Sequence, residues 1–330
     1  MKYRRIANTD LEVSTVCFGC WAIVGGFNWG QQDEQDSLAA LQAAYDAGIT
    51  FFDTAEAYGN GRSEQMIAKA LGGVRENILI ASKVAPPNMG RGDLTEACER
   101  SLRNLGTDRI DLYQLHWPST KVPLEESVAE LEALKSQGKI REYGVSNFGT
   151  GDLNALLRVT GDAVSNQLCY NLLFRAIEYE ILPVCGEHSM SVLCYSPLMQ
   201  GLLTGKFATA DDVPVDRART RHFAPSRPEA SHDETGCEAE MFAAINRLRE
   251  IADGANTSMA NLAMAWLLEQ PGVATVIAGG RNAHQAARNA EAADVTLSED
   301  ICREVEKATV TVKRALGPNA DMWKSTPRIH

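Results

Sequence analysis

Short apolar runs recur along the chain, and helical periodicity follows almost every one. Residues 16–20, 49–53, 78–83 and 110–116 form the first four runs, and 140–145, 163–167, 192–195 and 273–278 the other four. The spacing behind them predicts helices over 33–47, 63–71, 93–105, 124–137, 151–158, 178–188 and 283–293. Two more helices, over 237–254 and 258–269, precede the eighth run and follow an irregular stretch at 204–236. Strands alternating with helices of this length make right-handed βαβ units and a parallel sheet. Eight such units within about 250 residues fit a closed (β/α)8 TIM barrel better than an open doubly wound sheet.

Two features lie outside that α/β barrel. Residues 3–6 and 11–13 flank a turn at 8–10, which predicts a β-hairpin capping one end within residues 1–13. From 298 to 330 the chain adds a C-terminal helix and an irregular tail. No linker interrupts the alternation, so residues 1–330 read as a single domain.

The composition is 45% hydrophobic and 23% charged, well away from the disordered range. A net charge of −11 argues against nucleic acid or anionic membrane as a partner, and no Lys/Arg-rich arm offsets it. One basic stretch, Arg217, Arg219, Arg221 and Arg227, contains no acidic residue and reads either as a solvated loop or as an anion site. The N-terminal segment lacks the apolar core of a signal peptide, and no run approaches the ~18 apolar residues of a membrane helix. The scattered cysteines read as reduced thiols, so the expected compartment is the cytoplasm. Cys17 and Cys20 form a C-x-x-C, but no helix start or second pair follows, and two plain thiols at a strand end are the simpler reading. The histidines show no metal-ligand spacing, and no metal is expected.

In a parallel barrel, function gathers at the C-terminal ends of the strands. The second run ends on Asp53, with Tyr58 five residues into the loop; the third ends on Lys83 and the fourth on His116. The fifth runs into Ser146 and Asn147, the sixth reaches Gln167, and the seventh leads to Tyr195 and Ser196. Any one of these residues has a plain explanation, a strand end facing water or a histidine satisfied in a core. Together they place a carboxylate, a phenol, an ammonium and an imidazole around one mouth. A tyrosine titrates near ~10, and a neighbouring ammonium lowers that value. A carboxylate would keep the lysine charged, and a neutral histidine would hydrogen-bond a carbonyl oxygen. The set suits protonation of a developing alkoxide.

The stretches GITFFDTAEAYGNGRSE, ILIASK, IDLYQLHWP, GKIREYGVSNF and YSPLMQGLLTGK, with the segment 277–289, resemble the aldo-keto reductase superfamily over nearly the whole chain. FGCWAIVGGFNWG and the overall length resemble a bacterial branch that includes general-stress reductases and relatives of channel β-subunits. The resemblance implies the (β/α)8 barrel, NADPH/NADP+ as cofactor and reduction of aldehydes or ketones. It implies Tyr58 as general acid, Lys83 lowering its pKa, Asp53 supporting Lys83, and His116 orienting the carbonyl. It places Ser146, Asn147 and Gln167 at the nicotinamide carboxamide and Tyr195 against its ring, with Gly19, Cys20 and Trp21 also beside the cofactor. Ser196, Pro197, Leu198, Gly201, Leu203 and Lys206 match the pyrophosphate loop, which the 204–236 segment would cover. Gly279, Gly280, Arg281, Gln285 and Asn289 match the adenosine and 2′-phosphate segment. Two departures stand out: Ala278 where relatives usually have Pro, and Met199-Gln200 in place of a small or basic pair.

Two other readings fit parts of this pattern. A non-catalytic NADPH-binding regulatory subunit like the channel β-subunits would keep the same four residues. A metal-dependent barrel hydrolase or lyase needs clustered ligands that Asp53 and His116 do not supply. The substrate pocket is assigned to Trp21, Trp29 and Trp117, with Phe27 and Trp323 as further aromatics; packing is the alternative for all of them.

Overall fold

The alternation closes on itself. The computed structural model describes residues 1–26 and 29–330; Phe27 lies outside the described residues. The hairpin is β1 (Tyr3–Arg5) and β2 (Glu12–Ser14), paired antiparallel with Tyr3 opposite Ser14. The barrel strands are β3 (Val16–Gly19), β4 (Phe51–Asp53), β5 (Leu79–Val84), β6 (Ile110–Leu115), β7 (Ile140–Ser146), β8 (Ser165–Cys169), β9 (Ser191–Tyr195) and β10 (Val273–Gly279). All pair in parallel, and β10 lies against both β9 and β3, which completes the ring. Around it run α1 (Glu34–Asp46), α2 (Arg62–Leu71), α3 (Asp93–Leu105), α4 (Leu124–Ser136), α5 (Thr150–Val159) and α6 (Ile181–Glu187). They are followed by α7 (Glu238–Gly254), α8 (Met259–Leu268), α9 (Ala283–Ala290) and α10 (Glu299–Leu316).

Successive side chains of a strand point to opposite faces. Phe51, Ala81, Leu112, Leu193 and Ile277 form an apolar layer inside the barrel, and Ile6, Leu11 and Val13 of the hairpin plug its lower end. Two residues further along the same strands stand Asp53, Lys83, Gln114, Tyr195 and Gly279. The period of two therefore turns them into the same interior, one layer higher, at the C-terminal mouth.

Local chemistry shifts a few boundaries. The sixth helix starts at Ile181 rather than 178, because Glu178 is drawn into a cluster with Arg175 (2.6 Å), Lys313 (2.7 Å) and Tyr170 (2.8 Å). The ninth stops at Ala290 and continues to Asp294 as a 3-10 turn. Beyond Thr204 the long irregular segment contains one short 3-10 turn, Ala210–Asp212, yet it is not a solvated loop. Arg221 is buried; it pairs with Glu234 at 2.7 Å and donates to the carbonyls of Leu316 (2.7 Å), Asn319 (2.8 Å) and Asp321 (3.2 Å). Arg227 pairs with Asp211 and Glu238. These two members of the basic stretch are structural, whereas Arg217 and Arg219 face the barrel mouth. The tail after α10 crosses to α5, where the Asp152 N–H donates to the His330 carbonyl at 2.8 Å. No helix among the described residues is long and apolar enough to cross a membrane.

Candidate active site

Asp53 ends β4, and the chain then turns to α2 through a pinned loop. The Thr54 hydroxyl donates to the Ser63 hydroxyl (2.8 Å), which donates to the Cys20 carbonyl (2.8 Å). Gly59 has φ +60°, and a Cβ there would press on Arg62 and Val24 at 3.2–3.3 Å, so glycine is needed beside Tyr58. The loop thus holds the Tyr58 ring against Trp21, stacked with centroids 6.1 Å apart, and edge-on to His116 at 5.8 Å.

Lys83 is fully buried, and its ammonium meets Asp53 Oδ1 at 2.6 Å, the Thr54 carbonyl at 2.8 Å and the Tyr58 hydroxyl at 3.5 Å. Burial alone would lower the lysine pKa, but Asp53 and Tyr58 outweigh it and the value is raised; the ammonium persists. For Tyr58 the balance runs opposite to the expectation from sequence. Burial of the phenol is the larger effect, the pull of Lys83 only partly offsets it, and the pKa lies above the usual tyrosine value. Desolvation, aided by the Lys83 charge, pushes His116 down to about 3, so the imidazole is neutral at ordinary pH.

The neighbouring loops tie into this group. Gln167 donates to Asp53 Oδ2 at 2.7 Å, so both carboxylate oxygens are engaged. Asn147 adopts a left-handed backbone (φ 62°); its amide donates to the His116 carbonyl (3.0 Å) and accepts from the Tyr195 hydroxyl (2.9 Å). Gln114 was missed in the sequence, although it faces inward two residues before His116, and its amide nitrogen is buried without a partner among the described residues. Gln32 was missed too. It accepts from Arg281 Nε at 2.7 Å and donates to the Arg281 carbonyl at 2.8 Å.

Asp53, Tyr58 and His116 open on one cavity of about 1070 Å³, and Lys83 lies buried behind them. Its wall includes Gly19, Trp21, Ser146, Asn147, Gln167, Tyr195, Ser196, Pro197, Leu198, Gly201, Lys206, Gly279, Arg281, Gln285 and Asn289. Cys20, Leu203 and Gly280 lie behind it: Cys20 and Leu203 are fully buried, and Gly280 packs on Ala286 and Phe18. Burial and the converging charges of Arg217 and Arg281 lower the Lys206 pKa. Arg217 Nε and Gln200 Nε2 are buried donors in the same wall without partners among the described residues, and a Cβ at Gly201 would meet Lys206 Nζ at 2.9 Å. Clustered cations, unpaired donors and a bare backbone fit the phosphates of a dinucleotide. Asp53 is the one carboxylate in the cavity wall among the described residues, despite the acidic chain. Trp29 meets Trp21 edge-on at 5.5 Å and carries the Arg217 guanidinium at 5.4 Å; Trp117 packs on Trp323 at 6.3 Å. Among the described residues no three His, Cys, Asp or Glu side chains are grouped to hold a metal ion.

An eight-stranded parallel barrel with a phenol, an ammonium–carboxylate pair and a neutral imidazole beside a cationic cleft defines an oxidoreductase of the barrel type. Comparison with known proteins is specific. Residues 15–309 match the model of the aldo/keto reductase family, and the chain belongs to that family. It is 34% identical to the aldo-keto reductase YhdN of Bacillus subtilis, covering 96% of this chain and 97% of that protein. It is 35% identical to the methylglyoxal reductase YeaE of Escherichia coli, over 91% and 92% of the two chains. A probable voltage-gated potassium channel β-subunit of Oryza sativa is 30% identical, over 93% and 96%. Among solved structures, an aldo-keto reductase of Klebsiella pneumoniae in complex with NADPH is 30% identical, with a TM-score of 0.73 over 93% and 95% of the chains. The glycerol dehydrogenase of Gluconobacter oxydans, also 30% identical, reaches 0.80 over 96% of each.

Proposed function

We propose that this chain is an NADPH-dependent reductase of small aldehydes and ketones, with Tyr58 as the acid that protonates the alkoxide. The reading is carried by one observation: the Tyr58 hydroxyl lies 3.5 Å from an ammonium fixed by Asp53 and faces the neutral ring of His116, in a cavity that also gathers Lys206, Arg217 and Arg281. NADPH bound there supplies the hydride. Lys206, Arg217, Arg281 and the Gln200 amide would hold its phosphates, and Asn147, Ser146 and Tyr195 would line the nicotinamide end. Gln167 would reach that end with its amide oxygen, since its nitrogen is committed to Asp53.

His116 and Tyr58 converge on the carbonyl oxygen. The neutral imidazole donates a hydrogen bond without delivering a proton, and the phenol gives up its proton as negative charge develops. Lys83 stabilises the resulting phenolate, and Asp53 keeps Lys83 charged. Replacing Tyr58 by Phe keeps the ring between Trp21 and His116 and removes the acid. Carbonyl reduction should fall at least ~10²-fold with NADPH affinity little changed. Near-normal turnover would remove Tyr58 from the mechanism. Slow turnover on every carbonyl in the wild type, with cofactor tightly retained, would favour a regulatory role like that of the channel subunits.

A further inference from the structure

A second pair of cations lies on the substrate side of the cavity, supplied by the tail. Trp117 follows His116 directly, and the Arg328 guanidinium lies 4.2 Å from its ring centroid and 5.8 Å from that of Trp323. Arg328 donates to both oxygens of Asp321, at 2.7 and 3.0 Å. Asp321 is fully buried and also accepts from the backbone N–H groups of Trp323 and Arg328. Burial acts to raise its pKa, but these donors outweigh it and the carboxyl stays ionised. One edge of the guanidinium is thereby anchored. Its other terminal nitrogen has no partner among the described residues, and the side chain remains 48% exposed beside the cavity. Lys324 lines the same wall, and no carboxylate pairs with its ammonium among the described residues.

Fastening the tail accounts for the Asp321–Arg328 pair. It does not account for the uncompensated Lys324, a second cation in the wall that also holds Arg328 and the paired indoles. We propose that the pocket selects carbonyl compounds that also carry a carboxylate, with Lys324 and the outer edge of Arg328 receiving the carboxylate while Tyr58 and His116 take the carbonyl oxygen. This rests on the reductase reading above and narrows it. A guanidinium already fixed by stacking and by a buried carboxylate needs little further ordering to bind an anion. Trp117 and Trp323 form an apolar surface along which the chain or ring joining the two groups can lie. Lys206, Arg217 and Arg281 are a separate set, so the cofactor's phosphates and the substrate's carboxylate have different receptors.

The test compares 4-carboxybenzaldehyde with its methyl ester; the ester withdraws electrons more strongly and makes its aldehyde the more electrophilic, so a preference for the acid cannot come from intrinsic reactivity. Both are assayed with NADPH on the wild type, Lys324→Gln and Arg328→Gln, and the NADPH dissociation constant is measured for each protein. The wild type should favour the acid about tenfold in kcat/KM, the size of one charge-assisted hydrogen bond. Each substitution should shrink that ratio, mainly through KM, and raised salt should narrow it in the wild type. Lys324→Gln leaves the Asp321–Arg328 pair intact, so its result does not depend on the tail keeping its path. No preference in the wild type, or a preference that survives both substitutions, overturns the proposal and leaves the reductase reading in place. Weakened NADPH binding that lowers acid and ester together also overturns it, by assigning the cations to the cofactor. If the wild type reduces neither aldehyde, both readings fall.

Discussion

Asp53→Asn isolates the charge that holds Lys83 in place. The ammonium is fully buried, 2.6 Å from Asp53 and 2.8 Å from the Thr54 carbonyl. Asparagine keeps the size of the side chain and an oxygen for Gln167, but it removes the counter-charge. Breaking a buried pair on one side costs about 3–5 kcal/mol, because the remaining ion stays desolvated. In a chain of this length that should lower the unfolding midpoint by about 4–7 °C near neutral pH. The pH dependence has a definite sign. In the wild type the Lys83 pKa is raised, so its contribution to stability is present below the ordinary lysine value and is lost as pH climbs through the raised one. In the variant burial acts without Asp53, the folded-state pKa falls below the unfolded one, and loss of the proton relieves the penalty. The gap between variant and wild type should therefore narrow between about pH 7 and 10. Thermal unfolding followed by circular dichroism across that range measures it. A gap that stays constant, or a variant as stable as the wild type at neutral pH, would refute the buried-pair account.

Two further outcomes follow from the same geometry. Arg281→Ala should weaken NADPH binding by roughly ten- to a hundredfold and NADH binding much less, as expected for loss of one charged partner of a 2′-phosphate. Equal losses in a titration of both cofactors would show that the guanidinium serves Gln32 instead. Reduction should stay level through the neutral range and fall only above pH ~10, because the Tyr58 phenol is raised above its ordinary value and must be protonated to act. Alcohol oxidation should rise over the same interval. A loss of reduction centred nearer pH 7–8, with chemistry rate-limiting, would mean that the pull of Lys83 outweighs burial after all.

The barrel was legible because its evidence is periodic. Inward residues recur every second position, so Asp53 and Lys83 could be placed at the mouth from Phe51 and Ala81 below them. The same rule reaches Gln114, which was passed over because it sits inside a strand rather than at its end. Arg217, Arg219, Arg221 and Arg227 look alike in sequence, and only the fold separates two that face the cavity from two that fasten loops. The Tyr58 pKa was misjudged for a related reason: a charged neighbour can be read from spacing, whereas the depth of burial depends on everything packed around the ring. The anchoring of Arg328 on Asp321 had no periodic signal, since an irregular tail is ordered by tertiary contacts alone. Even the Gln32–Arg281 lock joins residues 249 apart in the chain, with nothing local to announce it.

Arg221 binds the carbonyls of Leu316, Asn319 and Asp321, and so ties the loop that carries Arg217 and Arg219 to the tail that carries Arg328. Arg217 and Arg219, four and two residues before it, face the cavity, while Asp321 carries Arg328 and leads into Trp323. Neither segment can shift without dragging the other. A molecule that tightens the tail must also tighten the loop, and coupling of this kind is reciprocal in free energy. The two ligands would then strengthen each other's binding. Transplanting the tail of a relative to change the spectrum of acceptors would disturb cofactor exchange unless the loop travelled with it.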